Sequence, residues 1–573
     1  MLSGIVIFAS GVTMVMFYVT SARYRYIEML DWSFPRNCTF HLGYITIPYF
    51  ISMRDSTRLS TNVHIPRNID NSLPIILVRT PYGKQNIESL AKTYTQKGYI
   101  VVAQDTRGFY ESEGQKGFPF ASDQEDGHDT LKWLETQPWC NGKIGTWGGS
   151  ALGITQYLLA PKASESLKCQ VQVVATPDFY AASYQGGQLR KELILPWMEA
   201  NGYSADMINY IIQNEKLMSI WDPLRIVHDF EYIKAASLHL GGWFDIFAQG
   251  TIDAFTGYQY FGGEGAHGNA KLIMGPWKHG NFYRGPTGEV EFPNQDPKII
   301  ENYADAVYEK WLKGDSTLWD RYPTVLFYVM SSLDYNPCKM ANRWYFSDEW
   351  PVPSNVTNLY LTIREDLERN DLIVIPNDPV INSLYWDWNP TNPTASIGGN
   401  NLVIPAGMYD QSLVEDRLDV ILFETLELDD PITVIGQMNA TLFVSSNCTD
   451  TDITVKITDV YPDGRSMLVM DSILRLRNRN NLTDWEFMVP QSIYEITIPL
   501  ESTAYLFNQG HKIRLAISSS NYPRFEINPN TGDPLWQNST YYIARNSVFC
   551  NTTYPSRIAF PTIDYSILHP FVF

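Results

Sequence analysis

The feature that most restricts this chain is the alternation of short apolar runs with helical segments between Pro74 and Thr176. PIILVRT and YIVVAQD are runs of the kind found in strands buried on both faces, and KQNIESLAKTYTQKG between them has helical periodicity. SDQEDGHDTLKWLETQ then reads as a helix with acidic residues in its first turn, KIGTWG as a strand, ALGITQYLLA as a helix and CQVQVVAT as another strand. Such alternation implies a mostly parallel sheet with helices on both faces, because parallel neighbours must be joined by a crossover. Upstream, YITIPYFISM and STNVHIPR are separated by turn residues and predict an antiparallel hairpin from about residue 45.

The alternation stops near Gly187. LRKELILPWMEANG, SADMINYIIQNEKLMSIW and DPLRIVHDFEYI look helical and suggest a cap inserted over residues 187–235. The sheet resumes with ASLHLGGWFD and KLIMGPW, and a helix near NYADAVYEKWLKG closes this half. The expected α/β domain is therefore split into 45–186 and 236–336. From 337 to 573 the pattern changes to short alternating strands such as NLYLTI, ATLFVSS, ITVKITDVY, EITIPL and KIRLAISSS, joined by Gly, Pro, Asn and Asp turns. That is the signature of an all-β sandwich or jelly roll.

The chemistry centres on KIGTWGGSALGITQ, where Ser150 falls at a sharp turn between strand and helix. A nucleophile elbow places its central residue in a strained backbone conformation, so strand and helix must approach closely, and Gly148, Gly149 and Gly153 permit this. The pentapeptide G-x-S-x-G is not matched, since Leu152 holds its last position. Alone, the stretch fits a glycine-rich turn with an incidental serine equally well. A serine hydroxyl becomes a nucleophile when an imidazole takes its proton and a carboxylate orients that imidazole. Asp245 follows the strand LHLGGWF and His279 follows KLIMGPWK, which gives the order Ser, Asp, His on successive strand ends. The plainer readings, a helix N-cap for Asp245 and a polar loop residue for His279, explain neither the order nor the placement. For an oxyanion, the Ala151 N–H at the start of the following helix is the first expected donor, and Tyr82 in VRTPYGK stands where a second could arise.

The formal charge of −19 and the absence of a basic cluster argue against nucleic acid as a partner. The apolar run of residues 1–22 reads as a signal peptide, with an uncleaved membrane anchor as the rival. Sequons at Asn37, Asn355, Asn439, Asn447, Asn481, Asn538 and Asn551 agree with a secreted or lumenal route. Six cysteines permit disulfides there, with Cys140–Cys169 and Cys448–Cys550 as suggested pairs and Cys38 and Cys338 left over. Their spacing matches no zinc site, and neither a metal nor an organic cofactor is implied.

The stretches RTPYGK, VVAQDTRGFYESEG, PWCNGKIGTWGGSALGITQ, GGWFDIF, GPWKHG, DQSLVEDRLDVILFET, LFVSSNCTDTDITVKITDVYPDGR and SSSNYPRFEINPNTG carry a resemblance. From about residue 45 to its end the chain resembles the family of cocaine esterase, α-amino-acid ester hydrolases and X-Pro dipeptidyl-peptidases. The resemblance implies an α/β-hydrolase domain, a helical cap and a C-terminal jelly roll. It implies Ser150, Asp245 and His279 as a triad, the Tyr82 hydroxyl and Ala151 N–H as the oxyanion hole, and Phe247 in the acyl pocket. Family members usually carry Tyr after the nucleophile, so Ala151 removes an aromatic wall and predicts a roomier or reshaped pocket. The cap is also short. GGWFDIFAQG adds no carboxylate that could bind a substrate ammonium, although Glu192 or Glu199 of the cap could substitute.

These features predict a serine hydrolase, acting on carboxylic esters or, alternatively, on X-Pro peptides. A hydrolase-like binding protein that has lost its chemistry is the alternative of another class. The β domain reads either as a cover for the sheet domain or as a carbohydrate-binding module.

Overall fold

The computed structural model describes residues 39–67, 71–280, 285–295, 298–333, 340–364, 370–537 and 540–571. The segment 1–22, Asn37, Cys38, Cys338 and Asn538 lie outside the described residues. Among the described residues no helix is long and apolar enough to cross a membrane.

Two compact units emerge. The first takes in the chain to Gln115, Glu125–Thr146 and Ser164–Leu167. Its strands are β1 (Thr39–Phe40), β2 (Tyr44–Ser52), β3 (Arg58–Pro66), β4 (Leu73–Thr80), β5 (Ile100–Asp105) and β6 (Cys140–Gly149), in spatial order β1-β2-β3-β5-β4-β6. The hairpin β2–β3 is antiparallel, while β4 runs parallel to both β5 and β6. Ile75, Ile76, Leu77 and Val78 of β4 are buried, as a strand covered on both faces requires. Helix α1 (Glu88–Gln96) joins β4 to β5, and α2 (Asp123–Glu135) precedes β6.

The second unit contains Lys116–Gln124, Trp147–Ala163 and everything from Lys168 onward. It opens with the last residues of β6, then α3 (Ala151–Leu159) and β7 (Leu167–Val173). Then α4 (Phe179–Ser183) and a hairpin of β8 (Tyr184–Gln185) and β9 (Gln188–Leu189) lead into the region expected as the cap, which holds α5 (Lys191–Ala200) and α6 (Ala205–Gln213). Next come β10 (Ala236–Phe244), α7 (Ala248–Phe261), β11 (Ala270–Lys278), α8 (Lys298–Tyr308), β12 (Val325–Val329) and β13 (Arg343–Ser347). The strands β7, β10, β11 and β12 are parallel neighbours in that order, β13 adds antiparallel, and the C-terminal pair His569–Pro570 lies antiparallel beyond it at the edge.

The cap is less helical than its sequence suggests. Beyond Gln213 the expected helices are short 3₁₀ turns at Ser219–Leu224 and Phe230–Tyr232. Asn214 ends α6 in a non-helical conformation, and Pro223, lacking an N–H, blocks a continuous helix. The cap is held instead by buried charge: Arg477 Nη2 donates to Glu215 at 2.7 Å, and Arg475 Nη1 lies 3.7 Å from the same carboxylate.

Beyond β13 the chain is an all-β domain. Its main sheet runs, in space, Ser383–Trp388, Ala544–Phe549, Ile432–Ser446, Arg557–Ile563, Asn355–Thr362, Asn370–Ile373, Ile421–Glu424, Lys512–Ser518, Asp452–Val460 and Ser466–Arg475. The strand Tyr494–Phe507 pairs antiparallel with Ile432–Ser446. The architecture is an α/β-hydrolase fold followed by an all-β domain.

The suggested disulfides are not formed. Cys140, Cys169, Cys448 and Cys550 are free thiols. Local partners engage two of them: Cys140 Sγ accepts the Gly142 N–H at 3.3 Å, and Cys448 Sγ donates to Asn447 Oδ1 at 3.4 Å. Cys169 and Cys550 are buried, and burial pushes both thiols well above their ordinary pKa.

Candidate active site

Strand β6 ends at Gly149 and α3 begins at Ala151, so Ser150 alone makes the connection. Its φ of 55° and ψ of −127° lie in a region that residues with a Cβ rarely occupy. The geometry is held from both sides. The Ser150 N–H donates to the Val173 carbonyl at 2.9 Å, and its own carbonyl accepts from the Gly153 and Ile154 N–H groups at 2.8 and 2.9 Å. A Cβ on Gly148 would stand 2.4 Å from the Leu152 Cβ, and one on Gly153 would stand 2.5 Å from the Ala175 Cβ. The close crossing of strand and helix therefore depends on these two glycines.

The three residues expected from their places after β6, β10 and β11 meet. His279 Nε2 is 3.0 Å from Ser150 Oγ, and His279 Nδ1 is 2.7 Å from Asp245 Oδ2. A neutral imidazole satisfies both contacts by donating from Nδ1 to the carboxylate and accepting the serine proton at Nε2. Asp245 is fully buried, and its other oxygen accepts the Phe247 N–H at 2.7 Å. Phe247 packs edge-on against the His279 ring, centroid to centroid 5.7 Å.

Beside Ser150 lies an apolar pocket. Ser150, Ala151, Ile154, Ile246 and Phe247 line it, together with Phe120, Phe179, Leu193, Ile194, Trp197 and Leu402. Phe120 stacks on Trp197 with centroids 5.5 Å apart and meets Phe179 edge-on at 5.2 Å. The aromatic wall of the pocket is thus supplied from the loop before α2 and from α4 and α5. Sequence reasoning did not single out these side chains, since they come from separate segments; the aromatic residues of GFPF, DFYAAS and LILPWME are the only signal.

Neither candidate for binding a substrate ammonium lines the pocket. Glu192 is buried and accepts the Leu402 and Val403 N–H groups at 2.9 and 3.1 Å, while Glu199 is exposed on α5. Arg190, just ahead of α5, is buried, and its guanidinium donates to the Ile246 and Asn400 carbonyls at 2.7 and 2.9 Å. Burial opposes its charge and a nearby Arg524 adds to the cost, while Glu501, Glu192 and Asp245 offset them.

Ala151 stands at the N-terminus of α3, where the first N–H groups of a helix have no intrahelical acceptor. Tyr82 belongs to the first unit, in the turn after β4; its N–H donates to Thr80 Oγ1 at 3.0 Å and its carbonyl accepts from Asn86 Nδ2 at 2.7 Å. Among the described residues, no group of three or more His, Cys, Asp or Glu side chains is placed to hold a metal ion.

Two family models match the chain. That of the X-Pro dipeptidyl-peptidases (S15 family) covers residues 55–206 and 200–281, and that of the X-Pro dipeptidyl-peptidase C-terminal non-catalytic domain covers 317–559. Cocaine esterase from Rhodococcus sp. (strain MB1 Bresler) is 28% identical over 581 residues, spanning 90% of this chain and 97% of that protein. Among solved structures, an aminopeptidase from a marine sediment archaeon, Thaumarchaeota archaeon, superposes with a TM-score of 0.79 at 23% identity, covering 93% of this chain and 99% of that one. An α-amino acid ester hydrolase gives a TM-score of 0.76 at 21% identity, covering 91% and 97%.

Proposed function

Because this chain belongs to the family of cocaine esterase, α-amino-acid ester hydrolases and X-Pro dipeptidyl-peptidases, we propose that it is a serine hydrolase that cleaves carboxylic esters through an acyl-enzyme on Ser150. The observation that carries this reading is the hydrogen-bonded series Ser150–His279–Asp245 opening onto an apolar pocket. His279 Nε2 takes the hydroxyl proton as Ser150 Oγ attacks the ester carbonyl. Asp245 holds the imidazole in the required tautomer and stabilises its cation. His279 then returns the proton to the departing alcohol, and water releases the acid through the same base. The Ala151 N–H and the Tyr82 hydroxyl are assigned as donors to the oxyanion, the second from the family resemblance; one such donor is worth about 10²–10³ in kcat.

An ester is favoured over an X-Pro peptide because a dipeptidyl-peptidase must receive a substrate ammonium. Among the described residues, none lining the pocket is a carboxylate, and Glu192 lies outside that lining. The all-β domain supplies Leu402 to the pocket, which supports a role as its wall. A secreted or lumenal location is proposed with it, supported by the apolar run at residues 1–22 and by the exposed sequons Asn355, Asn447 and Asn481.

Hydrolysis of p-nitrophenyl butyrate and of Ala-Pro-p-nitroanilide, with Ser150→Ala as the blank, tests the proposal. We expect ester turnover that falls by about 10⁴-fold or more in the variant, and slow anilide cleavage. Preferential anilide cleavage would move the assignment to a dipeptidyl-peptidase. Turnover that survives the substitution would remove Ser150 from the mechanism.

A further inference from the structure

The Asp245 carboxylate has one oxygen on His279 and the other on the Phe247 N–H, 2.7 Å away in each case. That N–H belongs to the peptide unit between Ile246 and Phe247, whose carbonyl oxygen accepts Arg190 Nη1 at 2.7 Å. Peptide units are planar, so anchoring the carbonyl also sets the direction of the N–H on the opposite side. A cationic donor on the oxygen polarises the unit and strengthens the N–H as a donor. One hydrogen-bonded series therefore runs from Arg190 through a single peptide plane to Asp245, His279 and Ser150.

The guanidinium is itself fixed. Its Nη2 donates to the Asn400 carbonyl at 2.9 Å, and the Asn400 side chain donates to Glu501 at 2.6 Å. The Arg190 N–H donates to the Ser183 carbonyl at 2.9 Å. Only a planar fork with two separated donors reaches both the Ile246 and the Asn400 carbonyls, which lie on the catalytic loop and on the all-β domain; an ammonium can hold one of them.

We infer that Arg190 is a positioning residue for the reaction, which sets the Asp245 carboxylate through the Ile246–Phe247 peptide and ties that loop to the all-β domain. The inference rests on the acyl-transfer reading above. It concerns a group that touches neither substrate nor His279 and that acts only through Asp245.

The test uses the full chain with Arg190→Lys and Arg190→Gln. Competent sites are counted by fluorophosphonate labelling, and kcat and KM for p-nitrophenyl butyrate are read per labelled site across pH about 5 to 9. Loss of the fork should lower kcat by about 10²-fold in both variants, with KM changed less than about 2-fold. The acid limb should also move to lower pH, because a misaligned Asp245 no longer supports the His279 cation. An unchanged kcat and pH profile would overturn the assignment. An acid limb moved upward in the Gln variant alone would make Arg190 a source of charge only and would overturn it too. If neither variant yields labelled, folded protein, Arg190 belongs to the fold and not to the alignment of Asp245. Absence of labelling at Ser150 in the unsubstituted chain would instead sink the acyl-transfer reading, which separates the two failures.

Discussion

Phe247 has two neighbours with different demands, the His279 ring and the apolar pocket. If its main work is to bound the pocket, Phe247→Ala should shift selectivity toward longer acyl chains. We expect kcat/KM for p-nitrophenyl acetate to fall by about 10-fold while the octanoate ester falls less or rises, since a long acyl chain can fill the space that a short one leaves empty. An equal loss at every chain length would show that the ring serves only to hold His279. At this scale the sequence was legible where chemistry and topology coincide. Ser150, Asp245 and His279 each directly follow a strand, in the chain order Ser, Asp, His. Phe247, which lines the pocket, was legible only through family resemblance. The residues that fill the pocket, Phe120, Trp197 and Leu402, carry no periodic mark, because nothing local signals that loops far apart in the chain will share a wall. Arg190 was illegible for the same reason: its partners are backbone carbonyls, which leave no trace in side-chain identity.

The strand–helix crossing at β6 and α3 converts a local sequence into a reactive group. Its two glycines make different demands from Gly149, where a Cβ would come no closer than 3.3 Å to the Val173 carbonyl. Gly153→Ala forces α3 away from Ala175 and should cost about 1–3 kcal/mol of stability, read as a fall in Tm. It should also cost about 10²-fold in kcat as Ser150 moves off His279. Gly149→Ala should do much less of either; equal effects would contradict the crossing argument. The sheet elements were read well because strands buried on both faces are nearly continuous apolar runs. The cap was read less well. Apolar residues at helical spacing continue past Gln213, yet Asn214 and Pro223 break the backbone, and packing of Trp221 and Leu224 holds the segment in short turns. The suggested disulfides failed for a related reason, since position along the chain says nothing about which sulfurs face each other.

For the whole molecule, acid stability depends on histidines that the mechanism does not use. His239 lies between Tyr157 and Ser237, with hydrogen bonds of 2.9 and 2.7 Å, and burial lowers its pKa to about 3. Burial, with His41 nearby, lowers that of His64 to about 4. In the unfolded chain both titrate near 6.5, so below that pH the unfolded state binds protons that the folded state does not. Stability is therefore lost as pH falls from about 6.5 toward each folded value, by about 1.4 kcal/mol per unit for each residue. Melting temperatures should begin to fall near pH 6.5, above the carboxylate range, and the acid limb should be flatter in His239→Gln; an identical slope would exclude His239 as a source. The chemistry at Ser150 is covalent, so trapping the acyl group is the sharpest test of it. The protein is mixed with p-nitrophenyl acetate, quenched in acid within the first turnovers and mapped by peptide mass spectrometry. An acetyl group is expected on the peptide carrying Ser150, absent from Ser150→Ala. Turnover with that peptide unmodified, or an acetyl group held elsewhere and unaffected by the substitution, would contradict it.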